Sequence, residues 1–489
     1  MNHNQRKMKN RVSSLLTLIL ASLLLACSTN TTKQENSKIQ DTIDTYVRKQ
    51  MEIHEIPGAA LAVIQDGKVI HQNYYGTVLP GFELPVEPKH LFRVYSTTKL
   101  LVSTAIFQLM ESGKLKLKDK IKLHVKDIPE RWDDVEIRHL LAHSSGIPNF
   151  IRFDSKLSNE ALWTKLAEED MYFEPGSYWE YNQTNYWLLA QIIENLSGVS
   201  MEEFIVQHQF SGNNEGLLFS SSSLAAIPNR IVKFNYNDDD QIYYRSVDNE
   251  KSRGFAGNGL NITLDRFIEW GVRFDGNELL TASTKELMLS NFDFSEQDHS
   301  FFHGWDDYSF DNIKSVGFTG GGVSAFRNYP NQKTTVIFLS NGYKYTPVHN
   351  DMVNEIAGIL DTQILNSESV INAEILNSFV SKNFDDALIN YKTVKKEFPE
   401  NDFESVINQL GYIFLGKKEA DKAIKLLELN TLDYPNSSNT FDSLGEAYLS
   451  EDNFEMALKN YEEALRLSPN NNHAKKMVNG LKKRIESLN

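Results

Sequence analysis

A chain of 489 residues is long enough for two or three domains. With 41% hydrophobic and 24% charged residues, it carries ample material for packed cores. A formal charge of -15 argues against nucleic acid as a partner and against electrostatic docking on anionic lipid. The single cysteine excludes an internal disulfide and a multi-cysteine metal site.

That cysteine is informative by its position. Arg6, Lys7, Lys9 and Arg11 form a basic start, and Val12 to Ala26 form an apolar run ending Leu24-Leu25-Ala26-Cys27. The run is short for a permanent membrane span. It resembles a bacterial lipoprotein signal, which implies cleavage after residue 26, acylation of Cys27, and a membrane-anchored protein facing the periplasm or cell exterior. Residues 27–38 are polar and without periodicity beyond Cys27, and read as a tether.

Apolar residues at Ile39, Ile43, Tyr46, Val47 and Met51 predict a helix over 39–53. Ala59 to Ile64 and Val69 to Tyr75 flank Asp66-Gly67, which predicts a hairpin. Leu100 to Met110 is apolar on most sides, so it reads as a buried central helix with Ser96 on its first turn. From Leu115 to about Leu289 helical pieces alternate with loops. Strand patterning returns at Val323 to Tyr329 and Thr334 to Ser340, around Pro330-Asn331-Gln332, before an amphipathic helix from His349 to Leu365. Residues 39–366 therefore read as one α+β domain, its sheet built from both chain ends and its middle inserted as a helical lobe.

After about Asn366 strand signals disappear and a repeat shows itself. Leu410-Gly411 and Leu444-Gly445 lie 34 residues apart, as do Ala423 and Ala457, and Pro435 and Pro469. A partial copy, Ala387, Tyr391 and Pro399, precedes them out of phase. The period matches tetratricopeptide repeats, so residues 370–489 read as an all-α region of two good repeats and one degenerate one. The basic helix Asn472 to Leu488 closes it, and a protein partner is the expected use of such a region.

The stretch Ser96-Thr97-Thr98-Lys99 admits two readings. One is a helix-cap serine beside a surface lysine; the other is a nucleophile whose proton a partly desolvated lysine can take. Elsewhere stand Ile56-Pro57-Gly58-Ala59-Ala60, His143-Ser144-Ser145-Gly146, Pro175-Gly176 leading to Tyr181-Asn182-Gln183, and Phe318-Thr319-Gly320-Gly321-Gly322. In this order and approximate spacing they resemble the serine hydrolases of the class C β-lactamase and penicillin-binding-protein group, over residues 39–365. The resemblance implies a β-lactamase/transpeptidase-like fold and an acyl-serine mechanism with no cofactor and no metal.

By that resemblance Ser96 is the nucleophile, Lys99 helps to deprotonate it, and Tyr181 shuttles the proton, its phenol acidified by a neighbouring ammonium. The backbone amides of Ser96 and Gly321 form the oxyanion hole. Asn182, Gln183, Phe318, Thr319 and Gly320 contact a small-molecule or peptide substrate. Two departures matter. The family's Tyr-x-Asn is Tyr181-Asn182-Gln183, leaving open which amide serves. Phe318 stands where a cation usually binds a substrate carboxylate, which favours a neutral ester or amide over penicillins and leaves a D-aminopeptidase or cell-wall peptidase as the alternative. A catalytically weak scaffold acting through its repeats is a third reading. His143 reads as structural and His303 as a wall residue. Asp238, Asp239 and Asp240 read as a solvated loop. Tyr178, Trp179 and Tyr186 read as cleft lining or packing.

Overall fold

Six apolar residues in a row, Ala59 to Ile64, leave no polar side for water, so a strand made from them must be covered on both faces. In the computed structural model, which describes residues 31–237, 240–248, 251–469 and 471–488, they form β1 (Gly58–Gln65) and have no exposed surface. Asp66 and Gly67 both take positive φ, as a tight hairpin demands, and return the chain as β2 (Lys68–Gly76). The other four strands of this sheet come from late in the chain. They are β3 (Asp306–Asp307), β4 (Val316–Gly320), β5 (Ser324–Tyr329) and β6 (Thr334–Ser340). The order is β2-β1-β6-β5-β4-β3, antiparallel throughout, and β1 pairs with β6 from Ala59 opposite Ser340 to Gln65 opposite Thr334. The sheet is thus assembled from both ends of its domain, as expected.

Asn341 stitches that seam. Its Oδ1 accepts from the Gly58 amide at 2.8 Å, its Nδ2 donates to the Thr77 carbonyl at 3.0 Å, and its side chain is buried. On the outer face lie α1 (Thr31–Ile53) and, near the end of the domain, the helix His349–Leu360. Asp44 of α1 accepts from the Tyr75 hydroxyl of β2 at 2.6 Å, and Arg327 of β5 donates to Asn350 at 2.5 Å. The opposite face carries Ala60, Ala62, Ile64, Phe326, Ile337 and Leu339 into the largest core. There it meets α2 (Thr98–Glu111), whose residues Thr98 to Phe107 are all buried.

Three expectations need correction. Residues 31–38, read as tether, belong to the first turns of α1, and Cys27 and the rest of the N-terminal signal lie outside the described residues. The middle of the domain is not only helical. Leu217–Phe219, Leu260–Ile262, Leu91–Arg93 and Arg230–Ile231 form a second, four-stranded sheet in that order, from strands of three residues or fewer that are too short to show alternation. The final helix stops at Leu360, and a 3-10 turn, Thr362–Ile364, follows.

The chain divides into two compact units. One spans 32–235 and 243–364; the other is built from Leu365 onward. The second contains Ser367–Ser381, Phe384–Glu397, Glu404–Gly416, Ala420–Asp433, Ser438–Ser450, Phe454–Leu467 and Asn472–Leu488. The glycines of the 34-residue period mark close helix approaches. A Cβ on Gly411 would stand 2.6 Å from Leu427, and one on Gly445 would stand 3.1 Å from the Tyr461 ring. Ala423, Ala457 and Ala464 are fully buried, and Ala474, Val478 and Leu481 of the last helix complete the core. No helix among the described residues is long and apolar enough to cross a membrane.

Replacing Asn341 by Ala strands a buried amide and carbonyl at the seam between the two chain ends. It should lower unfolding stability by roughly 2–4 kcal/mol in urea titration; a loss under about 0.5 kcal/mol would mean that the seam is held elsewhere.

Candidate functional site

Ser96 does not open the α-helix itself. It sits in a 3-10 turn, Tyr95–Thr97, and α2 begins at Thr98, so Lys99 and not Ser96 is on the helix's first turn. The reason is local: Tyr95 takes φ 47°, a left-handed backbone that costs a non-glycine residue roughly 1–3 kcal/mol and breaks helical phasing. Several contacts hold it there. The Tyr95 hydroxyl donates to Asp248 at 3.1 Å, Arg93 covers its ring at 4.2 Å, and its carbonyl accepts from the Thr98 hydroxyl at 2.6 Å.

Ser96 is half-buried, and its Oγ accepts from the Tyr181 hydroxyl at 2.8 Å. Tyr181 comes from the loop before α3 (Gln183–Ser197). Lys99 is wholly buried. Its Nζ donates to the Gly257 carbonyl at 2.7 Å and to Gln183 Oε1 at 3.2 Å, and it stands 4.8 Å from the Tyr181 ring centre and 4.9 Å from that of Tyr186. A buried ammonium keeps its charge only if acceptors and ring faces replace water, and all of these do so.

The Tyr181 phenol departs from expectation. Burial raises its pKa, and the hydrogen bond with Ser96 opposes that without reversing it; the charges of Asp306 and Tyr308 raise it further. At neutral pH it is a phenol that donates to Ser96. Desolvation is the largest cause, and it runs opposite to the expected acidification.

The two amides after Tyr181 separate clearly. Asn182, expected as a substrate contact, turns away: its Oδ1 caps α3 by accepting from the Thr184 amide at 2.8 Å, and its Nδ2 donates to the Ile147 carbonyl at 2.5 Å. Gln183, one residue inside the helix, carries the amide oxygen that meets Lys99. The extra methylene lets the side chain reach, and the absence of a Cβ on Gly257 leaves room for it, since such an atom would lie 2.1 Å from Gln183 Oε1.

The glycine-rich segment closes one strand and turns into the next. Phe318 and Thr319 are already in β4, Gly320 ends it, and Gly321 and Gly322 turn with φ 57° and 71° before β5. A Cβ on Gly320 would be 2.0 Å from the Val94 carbonyl and 2.9 Å from the Ser96 amide nitrogen, so only glycine lets β4 close on the Ser96 turn. Phe318 is buried, 6.4 Å from the rings of both Tyr181 and Phe301 and 5.9 Å from Lys99 Nζ. Thr319 is half-buried and hydrogen-bonds the Tyr308 phenol.

Of the residues read as bystanders, His143 lies closest. Its ring is wholly buried 4.6 Å from that of Tyr181, Nδ1 accepts from the Asn182 amide at 3.1 Å, and Nε2 has no hydrogen-bond partner. Burial, then the Lys99 charge, hold its pKa well down, so it is a neutral support under the tyrosine. His303 is a core residue, edge-on to Phe107 and Phe292 at 6.1 Å, with burial lowering its pKa to about 4. Tyr186 is buried beneath Lys99, Trp179 is half-buried, and Tyr178 is exposed. Asp238 and Asp239 lie outside the described residues; Asp240 is exposed. No cluster of three or more His, Cys, Asp or Glu able to hold a metal occurs among the described residues.

Four neighbours escaped the sequence reading. Ser324 donates to the Val94 carbonyl at 2.7 Å and lies 2.9 Å from the Thr97 hydroxyl, tying β5 to the Ser96 turn. Lys233 donates to the Gly321 carbonyl at 2.7 Å. Asp306 and Tyr308, on the edge of the sheet, act electrostatically on Tyr181. None belongs to a local motif; each reaches the site by tertiary pairing, and only the spacing of Lys233 from the small-sheet strand before it offers a weak signal.

Residues 43–359 match the Beta-lactamase family, and residues 439–471 match the tetratricopeptide repeat. Protein flp of Staphylococcus aureus (strain MW2) is 28% identical over 178 residues, 35% of this chain and 36% of that protein. The chain thus spans about a third of the length of that curated relative. Penicillin-binding protein 4* of Bacillus subtilis (strain 168) is 29% identical over 341 residues, covering 63% of this chain and 72% of the relative. Three solved structures share the fold. The octameric penicillin-binding protein homologue from Pyrococcus abyssi gives a TM-score of 0.57 at 22% identity, over 69% of this chain and 81% of its own. The hydrolase EstCE1, with promiscuous acyltransferase activity, gives 0.56 at 16%, over 66% and 99%. The D-amino acid amidase of Ochrobactrum anthropi SV3 with L-phenylalanine amide gives 0.56 at 18%, over 67% and 99%. At these identities the structures speak to fold alone. With the family match covering well over half of the sequence, the chain belongs to the Beta-lactamase family and carries a tetratricopeptide repeat after the family domain.

Proposed function

We propose that this protein is a serine hydrolase that cleaves an ester or amide through an acyl-Ser96 intermediate, with esters of neutral acids as its main substrates. The observation that carries this is the 2.8 Å hydrogen bond from Tyr181 to Ser96 Oγ beside a wholly buried Lys99. Ser96 Oγ adds to the carbonyl carbon as its one proton passes to the Tyr181 oxygen, and the Lys99 ammonium beside the ring stabilises the negative charge that develops there. Tyr181, neutral at rest, passes its own proton to the departing oxygen or nitrogen as it receives another. The carbon–heteroatom bond breaks, and water then adds to the acyl carbon, returning a proton to Ser96. The amides of Ser96 and Gly321 are the oxyanion donors in this reading, supported by the contact of Gly320 with the Ser96 turn. Phe318 gives the pocket an apolar wall, which suits a neutral acyl group.

A peptidase acting on D-amino-acid substrates with a free carboxylate is the second reading. It is favoured by Lys233, whose ammonium at the Gly321 carbonyl supplies a cation that residue 318 lacks, and by similarity to penicillin-binding protein 4*. We further place the protein outside the cytoplasm on a lipid anchor at Cys27, on the basic start and apolar run before that residue alone.

An acylation panel of aryl esters, β-lactams and D-amino-acid peptides decides the first question. Wild type should turn over the aryl ester, and Ser96→Ala should lose about 10⁴-fold or more in kcat/KM together with fluorophosphonate labelling. A mutant that keeps either overturns the nucleophile. In the same panel Phe318→Lys should improve reaction with carboxylate-bearing substrates; unchanged selectivity would show that another residue shapes the pocket.

The pH dependence follows from the sign of the Tyr181 shift. A phenol raised above its ordinary value stays protonated through neutrality, so the rate should show no rising limb from phenolate formation between about pH 8 and 10. Tyr181→Phe should lower kcat by roughly 10²–10⁴-fold without changing the profile's shape; loss of a rising limb in that variant would show that the phenolate is the working form. For the anchor, cells fed an alkyne-bearing fatty acid should incorporate it into the wild-type protein and not into Cys27→Ser, and equal incorporation would remove Cys27 as the site.

A further inference from the structure

The repeat region gathers two carboxylates and several neutral polar groups on one patch. Asn408 and Tyr412 stand one turn apart on Glu404–Gly416, and Asp442 and Glu446 one turn apart on Ser438–Ser450. The two faces meet where the Tyr412 hydroxyl donates to Glu446 Oε2 at 2.8 Å and reaches Ser443 Oγ at 3.3 Å. Asp442 accepts from Asn471 at 3.2 Å and lies 2.9 Å from His473 Nδ1. Neither carboxylate is paired with a lysine or arginine among the described residues.

An independent observation points to a missing occupant. Tyr461, from Phe454–Leu467, has no exposed surface, and its ring packs over Gly445 and edge-on to His473 at 5.8 Å. Among the described residues its hydroxyl has no hydrogen-bond partner, although the groups that act on it electrostatically are Glu446, Asp442 and Tyr412. Asn408 Oδ1 is likewise buried without a partner. A buried polar atom without a partner is costly, and two carboxylates one helical turn apart repel each other. The patch is open to solvent on one side, where Glu446 is exposed and Tyr412 is 39% exposed.

Two carboxylates, unpartnered oxygens and an aromatic face suit a cation that carries several N–H donors. A bare divalent ion suits it less, because these residues supply no cluster of three charged or imidazole ligands. We propose that this patch binds the guanidinium or ammonium group of a basic side chain in a peptide segment of a partner protein. Asp442 and Glu446 are the counter-charges, the Tyr461 hydroxyl accepts a hydrogen bond, and the Tyr412 ring lies against the cation. The match to the tetratricopeptide repeat over residues 439–471 covers three of these four residues, and stacked helical repeats commonly present extended binding surfaces. This site stands apart from the Ser96 chemistry and does not depend on it.

The test uses the full chain and fluorescein-labelled nonapeptides of alanine, glycine and serine with one central arginine, lysine or uncharged citrulline, read by anisotropy. The arginine or lysine peptide should bind, and the citrulline peptide should bind at least about tenfold more weakly. Glu446→Gln and Tyr461→Phe should each weaken binding by roughly fivefold or more, and raising the salt from about 0.05 to 0.5 M should weaken it further. Thermal unfolding by circular dichroism checks that each variant is folded. Equal affinity for arginine and citrulline peptides, no binding by any charged peptide up to about 1 mM, or binding untouched by Glu446→Gln in a folded variant overturns the proposal. So does calcium chloride that binds the patch while the arginine peptide does not.

Discussion

The burial of Lys99 is the constraint on which the catalytic half of this structure depends. An ammonium without access to water is tolerable only if protein atoms take over its solvation. Gly257 supplies a carbonyl, Gln183 an amide oxygen, and Tyr181 and Tyr186 supply ring faces. These groups come from two stretches of chain, residues 181–186 and the turn at Gly257, both distant in sequence from Lys99. The same packing dries Tyr181 and keeps it neutral, so the serine's hydrogen-bond partner is a donor with a proton to give.

Around that centre the fold presses two backbone segments together. The left-handed turn at Tyr95 lifts Ser96 out of helical register, and β4 closes on it through a glycine with no room for a side chain. Ser324 bonds across the junction to Val94 and Thr97. Strain in the nucleophile turn is therefore matched by contacts from the far end of the domain, a distribution typical of sites where geometry matters more than local stability. Because β1 pairs with β6, the two halves of the site are brought together by the same seam that closes the sheet.

The repeat region follows a different logic. Its glycines and alanines let helices approach, and its core is built from neighbouring pairs with no long-range seam. What its packing leaves over is polar: carboxylates, a buried hydroxyl and an amide oxygen, gathered on one patch.

Much of this was legible from the sequence. The hairpin at Asp66-Gly67, the largely apolar central helix, the late strands and the 34-residue period follow from short-range pattern, because side-chain periodicity and turn residues act locally. Ser96, Lys99 and Tyr181 could be named from their motifs. Other features depended on tertiary contacts. Asn182 and Gln183 differ by one methylene and one position, and their helix register sends the first to cap and the second to Lys99. Desolvation, a property of the assembled core, reversed the expected direction at Tyr181. Strands of two or three residues carry no period, so the small sheet stayed hidden. The sequence by itself determined which chemical groups are present and which elements carry them; only the tertiary structure decided which of those groups meet and in which protonation state, because burial and contact arise when distant segments pack.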